Sequence, residues 1–371
     1  MKNRFLALAM TIFMLIAMLY GCTPAAPAQA PAVDTPAAEA PVAQAEPPQA
    51  SVREDFVVTD MAGREVTIPG EIKSIATFGS VGVINAFVEL MGSGDLLCSQ
   101  MPASFTKSDK WKMQYEFAPQ IKDAPLLVNS DGELLLEEIL KLQPDLCITM
   151  TKETAEQLGD NGIACIYLEW KQNDDVKVAV NLMGEVLDKK DIAADYLAYF
   201  DAIVQEAADL TSTLADADKR TVLYGNVTKL SQPHIIAEWW IATAGGISVT
   251  SEGRTGSESL EYTQEDLLLW NPDVMLVTER AMIDELKNDA LYSDVTAVKE
   301  GNIYYIPTVA HVWGNRTVEQ PLTIFWTINK LYPDLVPDEL LAEKISYFYS
   351  HFFKYDLSAN QLDEIMDKAA N

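Results

Sequence analysis

"LEEILKLQPDLCIT" (136–149) and "QEDLLLWNPDVMLV" (264–277) are one pattern written twice. Setting Glu137 on Glu265 brings Glu138 onto Asp266, Leu140 onto Leu268, Pro144 onto Pro272 and Asp145 onto Asp273. Each copy reads as a short helix stopped by its Pro, followed by an apolar run that enters a sheet. One such unit in each half of the chain predicts two lobes of similar construction rather than one continuous sheet.

The flanking sequence repeats the same alternation. "FVVTDMAGREVTIP" (56–69) reads as a small hairpin turning at Ala-Gly, and "SIATFG" as a short buried strand ending at a glycine. The runs "DLCITM", "ACIYLEW", "TVLYGN", "DVMLVT" and "NIYYIP" recur between amphipathic stretches. Strands alternating with helices imply mainly parallel sheets covered on both faces. Between the halves, "KKDIAADYLAYFDAIVQEAADLTSTLADADKR" (189–220) has no Gly or Pro, and Ile192, Tyr196, Tyr199, Ile203 and Ala207 recur at steps of three or four. That spacing predicts one amphipathic helix of about 25 residues or more. The expected fold is therefore α/β: two Rossmann-like lobes, 53–187 and 218–371, joined by a long rigid backbone helix over 188–217. Lobes tied in this way rock by small angles.

The first 52 residues read differently. "MKNRFLALAMTIFMLIAMLYGC" has a basic start, an apolar run too short to span a bilayer comfortably, and small residues before Cys22, which is a secretory signal layout over residues 1–21. "LYGC" resembles the lipobox of bacterial lipoproteins, so Cys22 is the expected lipidated first residue of the mature chain. The Ala/Pro-rich stretch that follows, to residue 52, is expected to be a disordered tether. A lipid anchor with a tether holds a globular body near a membrane without placing it inside.

The 371-residue chain carries 27 basic and 55 acidic residues, a net charge of −28. That balance argues against nucleic acid and against adhesion to anionic lipid by charge. Cys98, Cys147 and Cys165 form no C-x-x-C pair, and the last two sit in strand-like runs, as core residues do. There is no phosphate loop, G-x-G-x-x-G, H-E-x-x-H or G-x-S-x-G, and His234, His311 and His351 are far apart in sequence. No catalytic residue, resident metal or cofactor is indicated.

Taken in order, "VTDMAGREVTIPGEIKSIATFG", "LEEILKLQPDLCIT", "WWIATAGGISV", "TQEDLLLWNPDVMLV", "VKEGNIYYIP" and "FFKYDLSANQLDEI" resemble the solute-binding lipoproteins of ABC importers for iron–siderophore, haem and corrinoid uptake. The resemblance implies a monomer that hands a metal chelate to an ABC permease and its ATPase, and it implies one permease-docking glutamate per lobe. The matching positions are Glu137 and Glu265, with Glu138 and Asp266 adjacent. It also implies a ligand held between the lobes by the loops after the strands. Candidates on one side are Phe78, Ser80, Met101, Lys107, Trp111 and Trp170; on the other they are Tyr224, Trp239, Arg254, His311, Trp313 and Arg316. Arg254 and Arg316 suit an anionic ferric chelate, since the planar guanidinium fork keeps its charge and offers several donors; Lys107, Lys110 and Lys152 come next. A ferric siderophore leads on that ground. Haem would use His311, Met101 or Tyr224 as an axial ligand, a corrinoid would lean on the tryptophans, and an oxyanion such as molybdate would need a small polar pocket. Trp239 and Trp240 are expected to begin the helix before "AGG".

Overall fold

Both copies of the repeat fold as helix, stop and strand, and they agree in backbone details that the letters do not show. The helix Leu136–Leu142 ends at Gln143 (φ 52°), and the helix Gln264–Trp270 ends at Asn271 (φ 42°). A following proline bars both residues from the right-handed helical region. Their left-handed turn closes the helices through Gln143 N–H to the Ile139 carbonyl (2.9 Å) and Asn271 N–H to the Leu267 carbonyl (3.0 Å). The aspartate after each proline then staples two strands. Asp145 accepts from Lys73 N (2.8 Å) and Ser74 Oγ (2.9 Å), while its own N–H donates to Ser74 Oγ (3.0 Å). Asp273 accepts from Thr221 N (2.8 Å) and Oγ1 (2.9 Å), and its N–H donates to Thr221 Oγ1 (3.0 Å).

The structure, a computed structural model, describes residues 53–368 except 253, 255 and 257. The expected signal, Cys22 and the tether lie outside the described residues. Among the described residues, no helix is long and apolar enough to cross a membrane. The first lobe holds three parallel strands in the order Ile75–Phe78, Leu146–Thr149, Cys165–Tyr167. The second holds four parallel strands in the order Ile303–Tyr305, Val274–Val277, Thr221–Gly225, Ile247–Ser248. The stapled strands Leu146–Thr149 and Val274–Val277 are buried at every position, as strands covered by helices on both faces must be. The hairpin Phe56–Thr59 and Glu65–Ile68 is antiparallel. It docks through Asp60, whose carboxylate accepts from Arg64 and from Tyr167 N at 3.0 Å. Cys98, Cys147 and Cys165 are free, and burial pushes the Cys98 thiol up to about 11 and that of Cys165 to about 12.

The joining helix is Lys190–Thr211, 22 residues, shorter than the sequence suggests. At its end Thr211 Oγ1 donates to the Ala207 carbonyl (2.8 Å) and Ser212 Oγ to that of Asp209 (2.7 Å), a competition for backbone acceptors that favours termination. Residues Asp216–Asp218 form a separate short turn. Ala193, Tyr196, Phe200, Ile203 and Ala207 are the buried stripe of the joining helix, with Ile192 and Tyr199 half-buried beside it. Gly245 (φ 78°) packs where a Cβ would lie 2.9 Å from Thr211 Cγ2, so this turn needs glycine both for conformation and for space. Trp239 and Trp240 lie in the middle of the helix Ile236–Thr243, not at its start. One apolar cluster runs without a break from Ile75 and Ile148 through Tyr196 to Tyr224, Val274 and Phe325. The described residues accordingly form one compact unit.

Candidate functional site

The strands of both sheets end towards a shared cavity of about 360 Å³. Gly79, Ser80, Val83, Phe105 and Met150 line it from the first lobe; His234, His311, Asn315 and Arg316 line it from the second. Gly79 (φ 81°) and Ser80 turn the chain from the strand Ile75–Phe78 into the helix Val81–Leu90. Ser80 and Val83 line the cavity, so the positive end of this helix dipole borders it. A Cβ on Gly82 would come within 2.9 Å of His311 Nδ1 and 3.1 Å of Phe105. That close approach admits a run of tilted ring contacts: Phe105 and Trp111 at 4.7 Å, Trp111 and His311 at 5.2 Å.

The wall bearing His311, Asn315 and Arg316 hangs from one buried carboxylate. Glu319 accepts from Ala310 N (2.9 Å), His311 N (2.8 Å), Thr317 Oγ1 (2.8 Å) and the Tyr349 hydroxyl. Gln114 Nε2 reaches from the first lobe to the Ala310 carbonyl at 2.6 Å and to Glu89 at 3.3 Å. Burial and the neighbouring Glu319 hold the Glu89 carboxyl well above its usual range, and one of its oxygens has no hydrogen-bond partner among the described residues. Glu319, rich in donors, is the member of the pair suited to the negative charge. Tyr224 donates to Asn315 Oδ1 at 2.9 Å and fixes that amide.

The charged groups form a closed set. Arg316 donates to the Trp170 carbonyl across the cleft and pairs with Glu258. Glu258 also meets His234 Nδ1 at 2.7 Å. Burial would raise Glu258, but the hydrogen bonds from His234 and Arg316 outweigh it and hold its carboxyl below the usual value. Desolvation lowers His234, and it lowers His311 to about 3, leaving His311 neutral. His311 Nδ1 has no hydrogen-bond partner among the described residues. Lys110 ties the lobes further through the Thr278 carbonyl (2.9 Å) and Glu279 (3.0 Å). The pocket beside that tie, between Lys112 and Tyr305, holds only about 60 Å³, room for water rather than solute.

Of the expected contact residues, Ser80, His311 and Arg316 line the cavity, and Trp111 stands behind His311. Phe78, Met101, Trp170, Tyr224 and Trp313 are instead core residues, none more than 2% exposed. This corrects the expectation that they face the ligand. Alternate residues at a strand end point away from the cleft, and the large rings fill the lobes. Trp239 stacks on Phe200 of the joining helix (6.0 Å, 9°), away from the cavity wall. Arg254 sits behind that wall, bonded to Gln232, to Glu238 (3.3 Å) and to the Glu258 carbonyl (2.9 Å). Lys107 and Lys152 are exposed and line no part of the cavity. His234 was not singled out in the sequence; its only signal there is a histidine shortly after a strand of the second lobe. No cluster of three or more His, Cys, Asp or Glu fit to hold a metal ion occurs among the described residues.

The two outward glutamates are also placed. Asp266 closes a capping box with Thr263, and Glu138 lies 3.8 Å from Lys141. Glu137 and Glu265 are exposed, with no ion-pair partner among the described residues.

Residues 103–310, more than half of the chain, match the family model described as periplasmic binding protein. The molybdate-binding protein MolA of Haemophilus influenzae is 23% identical over 82% of this chain and 92% of its own length. The iron(3+)-hydroxamate-binding protein YxeB of Bacillus subtilis is 23% identical over 57% of this chain and 69% of its own. Among solved structures, a periplasmic solute binding protein from Veillonella parvula superposes with a TM-score of 0.74 at 24% identity, covering 84% of this chain and 97% of that one. MolA bound to molybdate superposes with a TM-score of 0.70 at 20% identity, covering 82% and 99%.

Proposed function

The chain belongs to the periplasmic binding protein family, and on that premise we propose that it captures a compact anionic metal chelate in the cavity between its lobes and delivers it to an ABC permease. The observation that carries this reading is Arg316. Its guanidinium borders the cavity opposite the start of the helix Val81–Leu90, pre-set by the Trp170 carbonyl and Glu258. Binding is cheaper where the charged group is already ordered. The neutral rings of His311 and His234 supply lone pairs or N–H donors beside it. With Trp170 and Trp313 in the core, the wide macrocycles lose their stacking partners, and with Met101 and Tyr224 buried as well, haem keeps only His311 of its expected axial ligands. A small ferric chelate is the first reading. A metal oxyanion is the second, favoured by a cavity near the small end of the 300–1,000 Å³ range of ligand sites and by the likeness to MolA over nearly its whole length.

Glu137 and Glu265, free of other duties, are the permease-docking pair in this reading, and Cys22 is the lipid-bearing residue that keeps the body at the membrane. The charged groups around the cavity, Arg316 and Glu258 with His234, are paired with one another, an arrangement suited to binding. The test is titration of the full chain with a ferric hydroxamate, a ferric catecholate, haem and molybdate. Absorbance follows the coloured ligands and calorimetry follows molybdate. Saturable one-to-one binding of a ferric chelate or of molybdate supports the reading; a Soret band with tight haem binding and neither of the others contradicts it. Cys22→Ser should move the chain from the membrane fraction to the soluble one.

A further inference from the structure

The two outward helices offer more than one glutamate each. Leu140 is 43% exposed, Leu268 38% and Leu269 82%. An exposed leucine is ordinary by itself; the shared placement is not. Leu140 lies three residues after Glu137, and Leu268 and Leu269 lie three and four after Glu265, so on each helix the apolar and acidic groups share one side. Each helix already has its own anchor to the core, Ile139 or Leu267, so folding does not explain the outer leucines. Both helices also stand at the far end of the strands from the solute cavity. Asp145 opens the strand Leu146–Thr149, while Met150, just beyond that strand, lines the cavity. Asp273 opens Val274–Val277 in the same way. On the first lobe a groove of about 470 Å³ runs beside the helix, walled by Leu140, Gln143, Pro144, Asn161 and Ile163.

We propose that Leu140 on one lobe and Leu268 with Leu269 on the other are the apolar anchors through which the chain seats on its membrane permease. This rests on the docking reading of Glu137 and Glu265. The partner surface it fits carries two basic groups, each bordered by an apolar patch, and on the first-lobe side a side chain that enters the groove at Leu140. The division of labour follows from the energetics. Exposed charge pairs steer encounter and set register but add little affinity. Affinity comes from a few apolar groups desolvated at the centre of each contact. The repeat places both kinds of group once per lobe, as a partner with two matching halves requires.

The test measures affinity of the solute-free full chain for the permease–ATPase complex of the same organism in nanodiscs. Leu269→Ser and Leu140→Ser are compared with a Glu137→Ala/Glu265→Ala double variant and with Val178→Ser, which is 53% exposed on another helix. Each leucine variant should bind about tenfold more weakly, the scale of one buried leucine, with unchanged melting temperature, and Val178→Ser should bind as the parent does. If the glutamate variant weakens binding while both leucine variants stay within twofold, the inference is overturned and the docking reading stands. If neither set weakens binding, both are overturned.

Discussion

Replacing Glu319 with Ala strands four donors at once. Ala310 N and His311 N are fixed backbone amides in a buried loop, and the Thr317 and Tyr349 hydroxyls must seek other acceptors. An orphaned buried donor costs about 1–3 kcal/mol, so the two amides alone cost about 4 kcal/mol. With Glu89 already neutral, no charge repulsion is relieved to offset this, and the loss corresponds to a fall of about 6 °C in Tm for a folded body of this size. Glu319→Gln keeps the shape and one acceptor but turns an amide donor towards other donors, and should cost about half as much. Urea titration of both variants at pH 7 gives the stability change, and calorimetric titration with whichever of the ferric hydroxamate, ferric catecholate or molybdate the parent binds gives the affinity change. Affinity should fall more than tenfold in Glu319→Ala, because the loop that loses its anchor carries His311, Asn315 and Arg316. A stability loss below about 0.5 kcal/mol with solute affinity intact would refute the view that this carboxylate builds the wall.

Three further outcomes follow from the same region. The folded chain holds Glu89 protonated well above the usual range, whereas an unfolded Glu titrates near about 4.3. Above that pH the folded state binds one proton more than the unfolded, so stability falls with rising pH by up to about 1.4 kcal/mol per unit; Glu89→Gln should remove that slope in denaturation curves from pH 5 to 8. His311 has the opposite sign. Its pKa of about 3 lies below that of an unfolded His, near about 6.5, so its contribution falls as pH drops through that range, and His311→Gln should flatten the acid limb without any step in solute affinity between pH 5 and 8. Gly314→Ala would bring a Cβ to 2.3 Å from Tyr224 Cζ. Tyr224 holds Asn315, so this variant should lose several kcal/mol of stability and most of its solute affinity, as measured by thermal melting and titration.

The sequence displays the parts of the fold that depend on local chemistry. Proline after a short amphipathic helix and an apolar run after Pro-Asp were enough to find both central strands and their duplication. The aspartate staple and the left-handed caps at Gln143 and Asn271 supply the physical reason the pattern is repeated. His311 and Arg316 were visible because they follow a strand of the second lobe in a loop rich in polar groups. The rest of the site was hidden because it is assembled from distant segments: Glu258 gains its meaning only when His234 and Arg316 are folded against it. The tryptophans misled for a related reason. A ring that follows a strand can face either the cleft or the core, and the residue type does not distinguish them. In Trp170 and Trp313 the core won, since burying so large an apolar surface outweighs holding it ready for a ligand.

Arg316 borders the cavity, and the proposed function rests on its gripping an anionic solute there. Native mass spectrometry of the chain purified from its own host, set beside Arg316→Ala prepared identically, tests it most directly. The account predicts one metal-containing small molecule per chain in the parent and its loss in the variant, with both proteins folded. A parent that carries no such molecule when its host is grown with iron and molybdate, or a variant that retains it at the same occupancy, would contradict the account.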